Sequence, residues 1–446
     1  MDRWIEKDLK YLWHPYTQMK ECKDLPPILI DKAKGLKLYD NKGNFYYDTI
    51  SSWWCNIHGH NHPRIKRAIK DQLDSLEHVL FAGFTHKPAI LLAEKLVSIT
   101  PKNLTRVFFS DNGSTAVETA LKMSYQYWQN IGQNKKRQFV SLDYAYHGDT
   151  IGAMSIGGVD EFNKVFSPLF FNAKKVPSPY CYRCPMGMER RSCSIECIGP
   201  LGELLKRESG RIAALIMEPM VMAAGGMIIY PKEYLKKAAA LTRKYNVHLI
   251  LDEVATGFGR TGKMFACEHA GVKPDIICLS KGITSGYLPM AATLTTEKIY
   301  KAFYADYGER KTFYHGHTYT ANPVSCACAI ASLDIFKDEQ TLKKAGGLIT
   351  HLHKGLERFR YLDVVGDVRH IGMIGAMELV KDKKQKRPFG INRRIGLDIY
   401  KEGLKKNMLL RPLGDVIYFY LPFCIKISEI DRILGDTYGI IEKIKA

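Results

Sequence analysis

Residues 275–289 read DIICLSKGITSGYLP. Ile276, Ile277, Cys278 and Leu279 make an apolar run of strand length, and it runs into Lys281 among small residues. In open α/β sheets, ligands gather at the carboxyl ends of strands. Lys281 is therefore either a solvated cap or a nucleophile, and the residues at the ends of the other strands decide between the two.

Working outward, four more apolar runs precede it: RVFFS (106–110), QFVSLDY (138–144), IAALIMEP (212–219) and VHLILDEV (247–254). Amphipathic stretches such as STAVETALKMSYQYW (114–128) and KEYLKKAAALTRKY (232–245) lie between them. Short apolar runs separated by helices predict an α/β fold whose mostly parallel sheet is covered on both faces. The chain ends read differently, mixing helix-patterned stretches with short strands such as GMIGAMELV (372–380) and DVIYFYL (415–421). The expected division is a large domain over residues 57–330 and a smaller α+β domain built from residues 1–56 and 331–446.

Each strand end carries a distinct set of groups. RVFFS leads to Asp111, Asn112, Gly113, Ser114 and Thr115, and QFVSLDY leads to Tyr146, His147 and Asp149. VHLIL ends at Asp252 and Glu253. One chemistry uses such a rim, that of pyridoxal phosphate. Its aldehyde needs an amine, which Lys281 supplies. Its pyridine nitrogen stays protonated beside a carboxylate, the place for Asp252. Its phosphate suits the helix start at Gly113 and Ser114, where free N–H groups and the dipole attract an anion. Thr115 and Glu118 have the spacing of a capping box for that helix, and Tyr146 is placed to lie flat on the ring. GFGRTG (257–262) matches the dinucleotide fingerprint, but DEVAT separates it from its strand and no long helix comes after it, so that reading is set aside.

Composition narrows the alternatives. The formal charge is +19, from 65 basic and 46 acidic residues. The densest basic runs, NKKRQ (134–138) and KDKKQKR (381–387), lack interleaved aromatics and read as solvated loops, so no nucleic-acid partner is expected. The opening MDRWIEKDLKYLWHPY holds no apolar core of signal-peptide length, and no apolar run approaches the roughly 20 residues that span a bilayer. A cytoplasmic protein with reduced thiols is the expectation, and the odd count of 11 cysteines agrees with it. Cys181, Cys184, Cys193 and Cys197 form a CxxC and CxxxC pair that is either four thiolates for a structural zinc or a surface insertion. No metal is expected at the catalytic rim. A zinc-stabilised nucleic-acid binding protein is the competing class, and it leaves the lysine and aspartate of the rim unexplained.

The run LILDEVATGFGRTGKMFACEHAGVKPDIICLSKGITSGYLP (249–289) resembles the signature of the class III pyridoxal-phosphate aminotransferases, and the likeness extends from about Trp13 to Arg411. It implies fold type I, with a sheet of the seven-stranded type, and a homodimer. WHPYTQM (13–19), SSWWCNIHGHNHP (51–63), YHGDTIGAMS (146–155), HGHTYTANP (315–323) and LLRPLGD (409–415) are similar to segments of its biotin-pathway branch. That branch implies 8-amino-7-oxononanoate as amino acceptor and S-adenosylmethionine as donor, with lysine as donor in some members. The runner-up is an ω-amino acid or ornithine-type aminotransferase. By the resemblance, Lys281 holds the cofactor and moves the proton, Asp252 pairs with the ring nitrogen, and Gly113 and Ser114 bind phosphate. Tyr146 stacks on the ring. Tyr16, Trp53 and Trp54 wall the substrate chain, Asp149 and Arg260 belong to the pocket, and Arg411 takes the distal carboxylate. Gly316 contacts substrate, while His317 and Thr318 reach the phosphate from the other subunit. Many members have proline where this chain has His317, and some lack the cysteine segment.

Overall fold

The computed structural model describes residues 2–445. Its central sheet has seven strands: β1 (Leu104–Ser110), β2 (Gln138–Leu142), β3 (Lys174–Val176), β4 (Ile212–Met217), β5 (His248–Asp252), β6 (Ile276–Leu279) and β7 (Ala291–Thr296). They lie in the order β1-β7-β6-β5-β4-β2-β3. Only β7 runs antiparallel to its neighbours, so the carboxyl ends of the other strands share one rim. This is the α/β, mostly parallel arrangement that the sequence predicts.

Every residue of β4, β5 and β6 is buried, which is why these strands read as unbroken apolar runs rather than alternating ones. The pleat divides them. Ile216, Ile250, Ile276 and Cys278 pack on one face beneath the helix Gly113–Asn130, and Leu215, Leu249, Leu251 and Ile277 pack on the other. Two strands are absent from the sequence reading. β7 is AATLTT, with too few large apolar residues to stand out; its Thr293 hydroxyl donates to the Ala116 carbonyl at 2.9 Å and so tolerates burial. β3 is three residues at the sheet edge.

A second core gathers around the antiparallel strands β8 (Val365–Ile371), β9 (Ile374–Leu379) and β10 (Val416–Tyr420), under the helices Thr341–Glu357, Ile395–Lys405 and Ile427–Glu442. Leu36 and Tyr47 from the N-terminal side join it. Tyr47 is held there by its backbone, which donates to Asn407 at 2.8 Å and accepts from Leu409 at 3.0 Å. Among the described residues no helix is long and apolar enough to cross a membrane. All eleven cysteines are free.

Candidate active site

The helix Gly113–Asn130 begins directly at the rim, and its cap differs from the expected one. Asn112, not Thr115, is the N-cap: its side chain accepts the Thr115 N–H at 3.1 Å, and the Thr115 hydroxyl accepts the Asn112 N–H at 3.0 Å. Glu118 takes no part in it. Its carboxylate accepts from the Thr150 hydroxyl at 2.6 Å and the Ala153 N–H at 3.1 Å, binding the helix to the segment after Asp149. The segment YHGD crosses close above the helix start, with the Asp149 N–H donating to Ser114 Oγ at 3.2 Å. Gly148 makes that crossing possible. Its φ is 121°, and a Cβ there would lie 2.0 Å from Ser114 Oγ.

β5 and β6 pair so that Asp252 faces Cys278, which brings Lys281 to the same edge. A cavity of about 640 Å³ opens there, and Gly113, Ser114, Tyr146, Asp252 and Lys281 all line it. Five of the residues singled out from the sequence are thus brought together. Lys281 has no hydrogen-bond or ion-pair partner among the described residues; its amine lies 4.5 Å from the centre of the Trp54 ring. Burial lowers its pKa, against the opposing pull of Asp252 and Glu218. Asp252 is 4% exposed and doubly anchored. Oδ1 accepts the Val254 N–H at 3.0 Å, and Oδ2 lies 2.8 Å from His147 Nδ1. His147 is buried and its Nε2 has no partner among the described residues. Nδ1 faces a carboxylate oxygen, which accepts, so His147 donates there and braces Asp252.

His147 and Glu218 are site residues that received no role from the sequence. Glu218 accepts the backbone N–H groups of Tyr146 at 3.1 Å and Ala223 at 2.9 Å, which fixes the tyrosine at the cavity wall. Burial pushes its carboxyl up to about 7. Glu218 comes directly after β4 and His147 five residues after β2, positions that a capping residue also takes.

A second group extends from the cavity. The Tyr16 hydroxyl donates to Asp149 at 2.7 Å and lies 3.3 Å from the Tyr146 hydroxyl, and burial pushes Tyr16 up to about 12. The Tyr16 ring stands edge-on to Trp53, with centres 5.6 Å apart. Over Trp53 lies the Arg411 guanidinium, 4.8 Å from the ring centre and without a carboxylate partner among the described residues. Arg411 and Tyr16 line an adjoining cavity of about 860 Å³. Arg260 is buried behind these residues. It donates to Ser51 Oγ and to the carbonyls of Trp54, Asn56 and Leu421, at 2.7 to 3.3 Å. It holds the wall in place and does not line either cavity.

The remaining sequence-derived residues lie apart. Within this chain Gly316 and Thr318 are exposed and line neither cavity. His317 Nδ1 stands 2.8 Å from Asp111 Oδ2, at the cavity edge. Burial raises the pKa values of Cys181 and Cys197, and the neighbouring Cys184 and Cys193 add to it. Among the described residues no group of three or more His, Cys, Asp or Glu is placed to hold a metal ion. Two of the thiols serve their own backbone instead: Cys193 Sγ accepts the Ile195 N–H at 3.2 Å, and Cys181 turns to the Pro179 carbonyl.

The rim fits a phosphorylated pyridine aldehyde: a free amine, an anchored buried carboxylate, and a helix start that glycine keeps open. Comparison agrees. The family model for class-III aminotransferases matches residues 18–441. Adenosylmethionine-8-amino-7-oxononanoate aminotransferase from Geobacter sulfurreducens is 46% identical over 438 residues, covering 98% of this chain and 97% of that protein. The crystal structure of the enzyme of that name from Methanocaldococcus jannaschii superposes with a TM-score of 0.94 at 42% identity, over 99% of both chains. An omega transaminase from Pseudomonas jessenii in complex with PMP gives 0.93 at 31% identity, over 98% of this chain and 97% of that one. The chain belongs to the class-III aminotransferases and is a transaminase that works with pyridoxal phosphate.

Proposed function

We propose that this transaminase moves the amino group of S-adenosylmethionine onto 8-amino-7-oxononanoate, giving 7,8-diaminononanoate for biotin synthesis. The observation that carries this reading is Arg411, a guanidinium with no carboxylate partner among the described residues, at the far end of an aromatic wall that starts beside Lys281. A long aliphatic keto acid needs apolar walls and one remote cation, and a bidentate arginine pair recognises its carboxylate. The names of the relatives agree with that acceptor and donor.

When bound, pyridoxal phosphate supplies the electron sink that lets the Cα proton of an amine depart. The chain's own residues do the rest. Gly113 and Ser114 would take the phosphate at the helix start, Asp252, fixed by His147 and Val254, would pair with the ring nitrogen, and Tyr146 would pack on the ring. Lys281 carries the proton between carbon atoms, and the burial that lowers its pKa favours the neutral amine that a base requires. Asp149, gripped by the Tyr16 and Tyr146 hydroxyls, offers negative charge to the acceptor's amino group.

A second copy of the chain completes the site in this reading. Leu80, Phe84, Tyr314 and Tyr319 are 53 to 73% exposed on two adjoining segments, an apolar surface suited to a partner that brings Gly316 and Thr318 to the phosphate. The free thiols favour a cytoplasmic setting.

Lys281→Ala is expected to lose both turnover and covalently held cofactor. Cofactor that borohydride still fixes to the variant sinks the assignment of Lys281. The substrate reading is tested by offering S-adenosylmethionine and lysine in parallel with the keto acid. Product from lysine alone overturns the donor, and refusal of the keto acid in favour of ω-amino acids overturns the acceptor.

A further inference from the structure

Ser51, Ser52, Trp53 and Trp54 have φ of 51, 46, 73 and 73°. Residues with side chains visit left-handed backbone singly, and glycine supplies most such positions. Here four stand in succession and none is glycine, so the surroundings must hold the turn. At Ser52 the support is Asp48, which is 1% exposed. Its Oδ1 accepts the Ser52 N–H at 2.8 Å, and its Oδ2 accepts the Ser52 hydroxyl at 2.6 Å. His60 Nε2, 2.8 Å from Oδ2, keeps the carboxylate in that orientation.

The turn aims two indoles at opposite ends of the pocket. Trp53 lies under Arg411, and Trp54 lies 4.5 Å from the Lys281 amine, with its own N–H on the Tyr418 hydroxyl at 3.2 Å. Trp54 is tied from several sides, whereas Trp53 is 38% exposed and among the described residues has only Tyr16 and Arg411 as ring partners. The backbone at Ser52 therefore decides where Trp53 goes.

We propose that Asp48 is a positioning residue for the amino acceptor: by holding Ser52 left-handed, it keeps Trp53 against Arg411 and so sets how the pocket receives a long-chain carboxylate. The proposal rests on the reading that Arg411 takes that carboxylate. Asp48 itself lines neither cavity. Removing it frees the turn to relax, and a glycine at 52 restores the left-handed conformation without needing the carboxylate.

The test is steady-state kinetics on the holoenzyme with 8-amino-7-oxononanoate, together with cofactor absorption spectra and thermal melts. Asp48→Ala is expected to raise the acceptor KM about tenfold with kcat nearly unchanged, the signature of lost binding common to ground and transition states. The bound-cofactor spectrum stays as in the wild type. Adding Ser52→Gly to Asp48→Ala is expected to recover most of the KM. If Asp48→Ala does not fold, Asp48→Asn with and without Ser52→Gly is read in the same way. An unchanged KM with a lowered melting temperature makes Asp48 merely structural and overturns the proposal, as does a raised KM that glycine leaves uncorrected. A wild-type enzyme that refuses the keto acid sinks the acceptor reading and this inference with it. Acceptance by the wild type with no effect of Asp48→Ala sinks the inference alone.

Discussion

At the scale of single residues, Arg411 carries the clearest expectation. Its guanidinium rests on Trp53 with no competing carboxylate among the described residues, so its loss costs the acceptor a charge-assisted pair worth about 1.5–3 kcal/mol. Arg411→Leu is expected to raise the acceptor KM by about ten- to a hundredfold. Cofactor binding, measured by equilibrium dialysis, stays as in the wild type, and a fall in cofactor affinity would show that Arg411 acts elsewhere. Lys281, Asp252, Tyr146, Gly113 and Ser114 are legible in the sequence because each comes after a strand and each has a chemistry of its own. His147 and Glu218 occupy equivalent positions, yet a histidine or glutamate after a strand is ordinarily a cap, so position alone does not single them out. Asp48 is hidden for a different reason. It acts on the backbone of Ser52, and serine is a residue type that announces no left-handed turn.

At the scale of elements, the decisive contact is YHGD lying over the start of the helix Gly113–Asn130. Gly148→Ala places a methyl group 2.0 Å from Ser114 Oγ and strains a backbone whose φ is 121°. The strain alone costs about 1–3 kcal/mol. The expected results are a lower melting temperature and weaker cofactor binding, because relief of the clash moves Ser114 away from the phosphate position. Unchanged affinity would mean that the helix start tolerates the shift. The fully buried strands β4, β5 and β6 show in the sequence because burial on both faces demands uninterrupted apolar side chains. β7 does not, since its threonines hydrogen-bond within the core and mimic a loop in composition. The cap of the first helix shows the finer limit. Thr115 and Glu118 have the spacing of a capping box, but Asn112 lies nearer the first free N–H groups, and Glu118 has donors in Thr150 and Ala153.

For the molecule as a whole, two buried acids make stability depend on pH. Burial pushes Glu253 up to about 7 from an ordinary 4.5, although Thr256, Ala266 and Cys267 all donate to it. The folded chain keeps this proton after the unfolded chain has released it. The resulting stabilisation, on the order of 3 kcal/mol, is complete below pH 4.5 and lost as pH rises through 7. Glu218 acts in the same direction. Cofactor-free protein is expected to melt at progressively lower temperature from pH 4.5 to 7, and Glu253→Gln to flatten that slope; an equally steep profile in the variant would exclude Glu253 as its source. Arg260 has a wider reach. Its acceptors belong to Ser51, Trp54 and Asn56 near one terminus and Leu421 near the other, while the arginine itself springs from the turn between β5 and β6. A shortened polypeptide starting after residue 56 would strip that guanidinium of three of its four acceptors. Engineers who wish to split or permute this enzyme should therefore cut elsewhere, because both tails are clasped by one cation and neither lobe is a separable module.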